Sequence, residues 1–98
     1  MGFVQIIEFK TSRYDEINTL MDEWLASTEG KRSPTHSLSC RDRDNDGVYV
    51  QIVEFPSHEV AIANSELPET GDFAKRMQEL CDGPATLRNL DVVRDESP

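Results

Sequence analysis

Ninety-eight residues leave room for one small domain and no second. Hydrophobic residues make up 37% and charged residues 30%, the balance of a folded chain rather than a disordered one. The formal net charge of −9 argues against the basic surface that nucleic acid or an anionic membrane would need, so neither is expected as a partner.

The chain opens on Phe3-Val4-Gln5-Ile6-Ile7-Glu8-Phe9-Lys10, a short run of β-branched and aromatic residues that predicts a strand. No basic segment and no long apolar segment precede it, so no secretory signal is read. No apolar run approaches the length of a membrane span. Cys40 and Cys81 form no CxxC pair, which fits two reduced thiols in a cytoplasmic protein.

A helix follows. Ser12 can cap it, with Asp15 or Glu16 in the first turn. Ile17, Leu20, Met21, Trp24 and Leu25 then fall on one apolar stripe, and Gly30 ends the element. Residues 36–41 alternate as a second strand, with Leu38 and Cys40 on one side and Ser37 and Ser39 on the other. Asp44-Asn45-Asp46-Gly47 turns the chain. The stretch from Asp42 to Gly47 matches half of an EF-hand calcium loop. Position twelve is Val53, however, where a bidentate glutamate is needed, and a strand follows instead of a helix. It reads as an acidic hairpin turn, and no metal or other cofactor is expected.

The third strand repeats the first. Residues 49–56 read Tyr-Val-Gln-Ile-Val-Glu-Phe-Pro, matching Phe3 to Phe9 position by position. Ser57 then caps a short helix through Val60, Ala61 and Asn64. Pro68 and Gly71 are expected to interrupt it, and Asp72 to cap a second piece carrying Phe73, Met77, Leu80 and Cys81. A last strand is expected over Thr86 to Arg94, closing a single domain of residues 1–94, with 95–98 as a frayed tail. The order β-α-β-β-α-β predicts an α+β, ferredoxin-like fold: one antiparallel four-stranded sheet with its helices on one face.

Both faces of the repeated strands are apolar. One carries Val4, Ile6, Val48, Val50 and Ile52; the other carries Phe3, Gln5, Ile7, Phe9, Tyr49, Gln51, Val53 and Phe55. Assigning the helices to the aliphatic face leaves the aromatic one bare, and a two-fold dimer would cover it. The two halves would then enclose an interior lined by Gln5, Gln51, Tyr49 and Phe55. His36 would join that interior only if the hairpin loop holds an even number of residues; an odd loop sends it elsewhere.

The segment Tyr49-Val-Gln-Ile-Val-Glu-Phe-Pro-Ser-His-Glu-Val-Ala-Ile-Ala-Asn64-Ser65, with Pro68, Glu69 and Phe73 after it, resembles the dimeric α+β barrel superfamily, and within it the antibiotic-biosynthesis-monooxygenase-like domains. The chain is similar to them in element order over its whole length. The resemblance implies a homodimer and a small-molecule cavity, with Asn64 among its ligand-binding residues. There are departures. Asn64 stands where the family's first histidine would be, Glu69 lies near the second, and Val53 replaces a common acidic residue. Haem-degrading members use a strand-one asparagine, near whose position Gln5 sits, and a helix histidine with no match here; haem degradation is therefore not implied. Cofactor-free quinone-forming members need a cavity that stabilises an aromatic anion, for which Gln5, Gln51, Tyr49 and Asn64 offer hydrogen bonds. His36 is the candidate base. The expected function is a dimeric barrel that binds an aromatic or polyketide-like molecule without clear catalytic machinery, and the alternative is a cofactor-independent monooxygenase or isomerase.

Overall fold

The repeated strand motif pairs with its own copy. The computed structural model of the chain describes residues 2–97. In it β1 (Phe3–Lys10) lies antiparallel to β3 (Val48–Phe55), with Phe3 opposite Phe55 and Phe9 opposite Tyr49. β2 (His36–Arg41) flanks β3, and β4 (Thr86–Asp91) flanks β1, which gives the order β2-β3-β1-β4. Three helices complete the chain: α1 (Tyr14–Ser27), α2 (His58–Ser65) and α3 (Pro68–Leu80). The fold is α+β and ferredoxin-like, with one open antiparallel sheet, as the element order predicts.

The face assignment needs correction. Helices cover the aromatic face, not the aliphatic one. Phe9 packs with Ile17 and Leu20 of α1 and Met77 of α3, while Phe3, Val53 and Phe55 pack with Ala61 of α2. Alternation alone could not decide this, because both faces are apolar. Ring size decides it: aromatic side chains reach across the gap to a helix layer and bury more area each than Val or Ile would. The face left open carries Val4, Ile6, Leu38, Val50, Ile52 and Leu90, half-buried or exposed, with Leu38 48% exposed.

The hairpin resolves as an odd loop. Arg41 pairs with Tyr49, which leaves seven residues between them, and His36 falls opposite Glu54. Asp42 sets this geometry. Its Oδ1 accepts from the backbone N–H groups of Asp44 (2.9 Å) and Asn45 (3.2 Å), and Gly47 takes φ 78°, a region that favours glycine.

Helix ends differ from the expected ones for definable reasons. Ser12 does not cap α1. Arg13 stands at the N-cap and no side chain caps the helix; just before it, Thr11 Oγ1 accepts from the Arg13 N–H at 3.0 Å and donates to the Leu80 carbonyl at 2.7 Å. Ser57 does cap α2, accepting from the Val60 N–H at 3.2 Å. Pro68 starts α3 instead of breaking a helix, because the first helical position needs no N–H; Gly71 and Asp72 lie inside the helix. β4 stops at Asp91, not at Arg94, although the Val92 N–H still reaches the Gly2 carbonyl at 2.9 Å. Met1 and Pro98, the first residue of the expected domain and the last of the expected tail, lie outside the described residues.

Thr11 is only 2% exposed and joins the segment leading into α1 to the end of α3 through one hydroxyl. Thr11→Val keeps its shape and leaves two buried backbone groups unpaired. Urea denaturation should show a loss of about 1–3 kcal/mol; a loss below about 0.5 kcal/mol would mean that water replaces the hydroxyl freely.

Candidate functional site

Sheet and helices do not close completely. Between them lies a cavity of about 490 Å³. Its floor is the odd-numbered sheet face: Gln5 from β1, Ser37 and Ser39 from β2, and Gln51, Val53 and Phe55 from β3. Met21 and Trp24 of α1, Asn64 of α2, and Thr70 and Phe73 of α3 form the roof. Register explains the gap. Toward the Phe9 end, aromatic rings meet the α1 stripe; beyond it the floor carries amides and serines, which are shorter or polar and fill less of the space.

The polar groups are held by named partners. Gln5 Nε2 donates to Asn89 Oδ1 on β4 at 3.2 Å. Asn64 is buried, and its Oδ1 accepts from the Ser33 N–H at 3.4 Å. Trp24 Nε1 donates to Thr70 Oγ1 at 3.0 Å, which fixes the indole between α1 and α3. Ser39 Oγ contacts Met21 Sδ at 3.8 Å. Gln51 Oε1 is different: it is shielded from solvent and no protein group donates to it.

The rim carries the charges. Asp22 and Arg32 lie there, both exposed, with Arg32 Nη1 donating to the Leu25 carbonyl at 2.8 Å. Lys31 Nζ meets Glu69 Oε2 at 2.9 Å, tying the segment between α1 and β2 to the start of α3. The hydrogen bond from Lys31 lowers the Glu69 carboxyl below the ordinary glutamate value.

Gln5, Gln51, Phe55 and Asn64, four of the expected ligand-binding residues, line this one cavity, which lies inside one protomer between sheet and helices and not between two dimer halves. Two predicted residues do not join them. Tyr49 stacks on Tyr14 (centroids 4.4 Å apart) and Phe9 (5.8 Å), in the packed end of the core. His36 touches the cavity's edge, yet its pairing with Glu54 puts its side chain on the sheet face opposite Gln51. Ser37, Ser39, Thr70 and Phe73 line the cavity without having been singled out for it. The β2 serines were legible in principle, since an odd hairpin loop exchanges them with His36 and Cys40.

No family model matches the sequence, and no curated protein matches it closely. Solved structures do. The chain is similar to a proposed antibiotic biosynthesis monooxygenase from Caulobacter crescentus (TM-score 0.81, 14% identity, 95% of this chain and 91% of that one). It is similar to SnoaB, a cofactor-independent oxygenase from Streptomyces nogalater (TM-score 0.80, 15% identity, 96% and 95%). Rv0793 from Mycobacterium tuberculosis is similar over 99% of this chain and 100% of its own (TM-score 0.80, 15% identity). At such identities the likeness is one of fold, and the fold is that of antibiotic-biosynthesis-monooxygenase-like proteins.

The Lys31–Glu69 pair gives a pH dependence of defined sign. A depressed folded-state carboxyl adds stability above its unfolded value, and that stability is lost as pH falls through the lowered value. NMR titration of Glu69 should show a midpoint below the ordinary glutamate value that returns toward it in Lys31→Ala. An unchanged midpoint in the variant would show that the pair does not persist in solution.

Proposed function

We propose that the protein is a homodimer whose protomers each bind a neutral aromatic or polyketide-like molecule in the cavity between sheet and helices. The observation that carries this reading is the cavity lining. Trp24, Phe73 and Phe55 supply flat apolar walls, and Gln5, Gln51, Asn64, Ser37 and Ser39 supply uncharged donors and acceptors. Such a mixture of apolar surface and a few convergent polar groups is what binding sites for small molecules use. The two charged lining residues, Asp22 and Arg32, are exposed at the edge, and Arg32 is held by a backbone carbonyl, so the interior favours a ligand without net charge.

The dimer follows from the open sheet face. Val4, Ile6, Leu38, Val50, Ile52 and Leu90 form a contiguous apolar surface on β1 to β4 that this chain does not cover. A two-fold axis through that face would pack it against its own copy. The dimer therefore closes on the aliphatic face, and the ligand site belongs to each protomer. The net charge of −9 supports neither nucleic acid nor an anionic membrane as a partner, no helix among the described residues is long and apolar enough to cross a membrane, and free cysteines fit a cytoplasmic setting.

A second reading, oxygenation, is favoured by the likeness to SnoaB. In it the cavity would hold an electron-rich aromatic while O₂ adds to it: anthrone and O₂ would give anthraquinone and water. With His36 on the opposite sheet face, no imidazole faces Gln51, and the one carboxylate in the cavity lining is that of Asp22 on α1.

Anthrone distinguishes the readings. Trp24, the single tryptophan, reports on the cavity. Saturable quenching without protein-dependent oxygen uptake supports binding, and uptake with anthraquinone formation supports oxygenation. Neither signal would remove both. For the dimer, Ile52→Lys places a charge at the centre of the open face; sedimentation should show a dimer for the natural chain and a monomer for the variant. A monomeric natural chain at micromolar concentration would refute this association.

A further inference from the structure

Gln51 Oε1 is the one buried side-chain oxygen or nitrogen among the described residues with no protein hydrogen-bond partner. It lies in the cavity lining. Its strand neighbours cannot relieve it as placed: Ile7, opposite on β1, has no donor, and Ser39, opposite on β2, points its hydroxyl at Met21 Sδ. The other cavity amides differ. Gln5 is engaged by Asn89 and Asn64 by Ser33. The fourth, Asn18, is exposed at the cavity's edge, so Gln51 alone is left with its acceptor uncommitted and turned away from solvent.

We infer that Gln51 is a specificity-determining residue, selecting cavity ligands that carry a hydrogen-bond donor, a hydroxyl or N–H, over the same skeleton capped as an ether. The inference rests on the cavity being a ligand site, as proposed above. A shielded carbonyl oxygen needs a donor. A ligand that enters displaces whatever water served it, and then either supplies a donor in its place or leaves the oxygen unpaired. Sites built this way reject analogues lacking the group far more strongly than apolar pockets reject an added methyl. A donor-bearing aromatic makes the bond and keeps its ring between Trp24 and the sheet. Its methyl ether offers only a second acceptor to an acceptor.

The test uses 2-naphthol and 2-methoxynaphthalene, measured by equilibrium dialysis against the natural chain, Gln51→Met and Ser39→Ala. The two probes differ in their own hydrophobicity, so the readout is the change in their affinity ratio between variants. In the natural chain the naphthol should bind at least about tenfold better than its ether. In Gln51→Met, which keeps length and removes the acceptor, the ratio should fall by about the same factor. The thermal midpoint of Gln51→Met should equal or exceed that of the natural chain, because an unpaired buried acceptor has been removed. In Ser39→Ala the naphthol should still bind better than its ether, because the Gln51 acceptor remains. A ratio that is the same in the natural chain and in Gln51→Met overturns the role of Gln51 while leaving the cavity as a binding site. A preference that arises or grows only in Ser39→Ala means that the Ser39 hydroxyl already serves Gln51, and also overturns it. Binding of neither probe overturns the cavity reading and this inference together. Should Gln51→Met not fold, Gln51→Leu carries the same comparison.

Discussion

A single layer of helices covers one face of a four-stranded sheet, and in this chain both faces are apolar. Which face the helices take fixes everything else. Because β1 and β3 are copies that pair in register, odd positions meet odd positions, and all of the large rings in the repeat fall on one side. Ile17, Leu20 and Met77 close over Phe9, and Ala61 closes over Phe3 and Phe55. The amides travel with the rings, since Gln5 and Gln51 share their parity. Covering the aromatic face therefore buries two glutamines in the same step. The cavity is what remains where the packing rings give way to amides.

That coupling explains why the site is neutral in character. Charged side chains in the cavity would bear a desolvation cost of several kcal/mol or more without a partner. Amides and hydroxyls bear a smaller one, and most of it is relieved by local bonds such as Gln5 to Asn89 and Trp24 to Thr70. The charges stay near solvent: Asp22 and Arg32 are exposed at the edge of the lining, and Lys31 meets Glu69 beside it. Exposed pairs of this kind add little stability. Their place here is positional, joining the segment that leaves α1 to the start of α3, next in sequence to the cavity residues Arg32 and Thr70.

Much of the architecture was legible in the residues. The repeat, the apolar stripe of α1, the Ser57 cap and the element order all predict what is found. Two features that decide the site were not legible, for physical reasons. Strand alternation assigns residues to faces but not faces to partners, so two apolar faces look equivalent until ring size against a helix layer is weighed. The hairpin register depends on how Asp42 folds the turn, and its bonds to the Asp44 and Asn45 N–H groups set an odd loop that composition does not reveal. Of the predicted site residues, Gln5, Gln51, Phe55 and Asn64 depend only on parity within the repeat or on the α2 helix, and they converge. His36 depends on the loop, and it does not. Tyr49 has the right parity but lies too far along β3, beside Phe9 and Tyr14.

The same alternation gives β3 two roles. Gln51, Val53 and Phe55 face the cavity, while Val50 and Ile52, one residue away on either side of Gln51, face the open surface. A binding site and an association surface thus share one backbone, separated only by the thickness of the sheet. Their side chains do not touch, so changes on one face should act independently of changes on the other unless the strand itself shifts. A slip of one residue in β3 would exchange the two sets, placing Gln51 on the open face and Ile52 in the cavity. What opposes the slip is the packing of Phe9, Phe3 and Phe55 under the helices, because it would turn Phe55 out of that layer. The aromatic residues at the two ends of the repeat thereby hold the polar group at its middle in register.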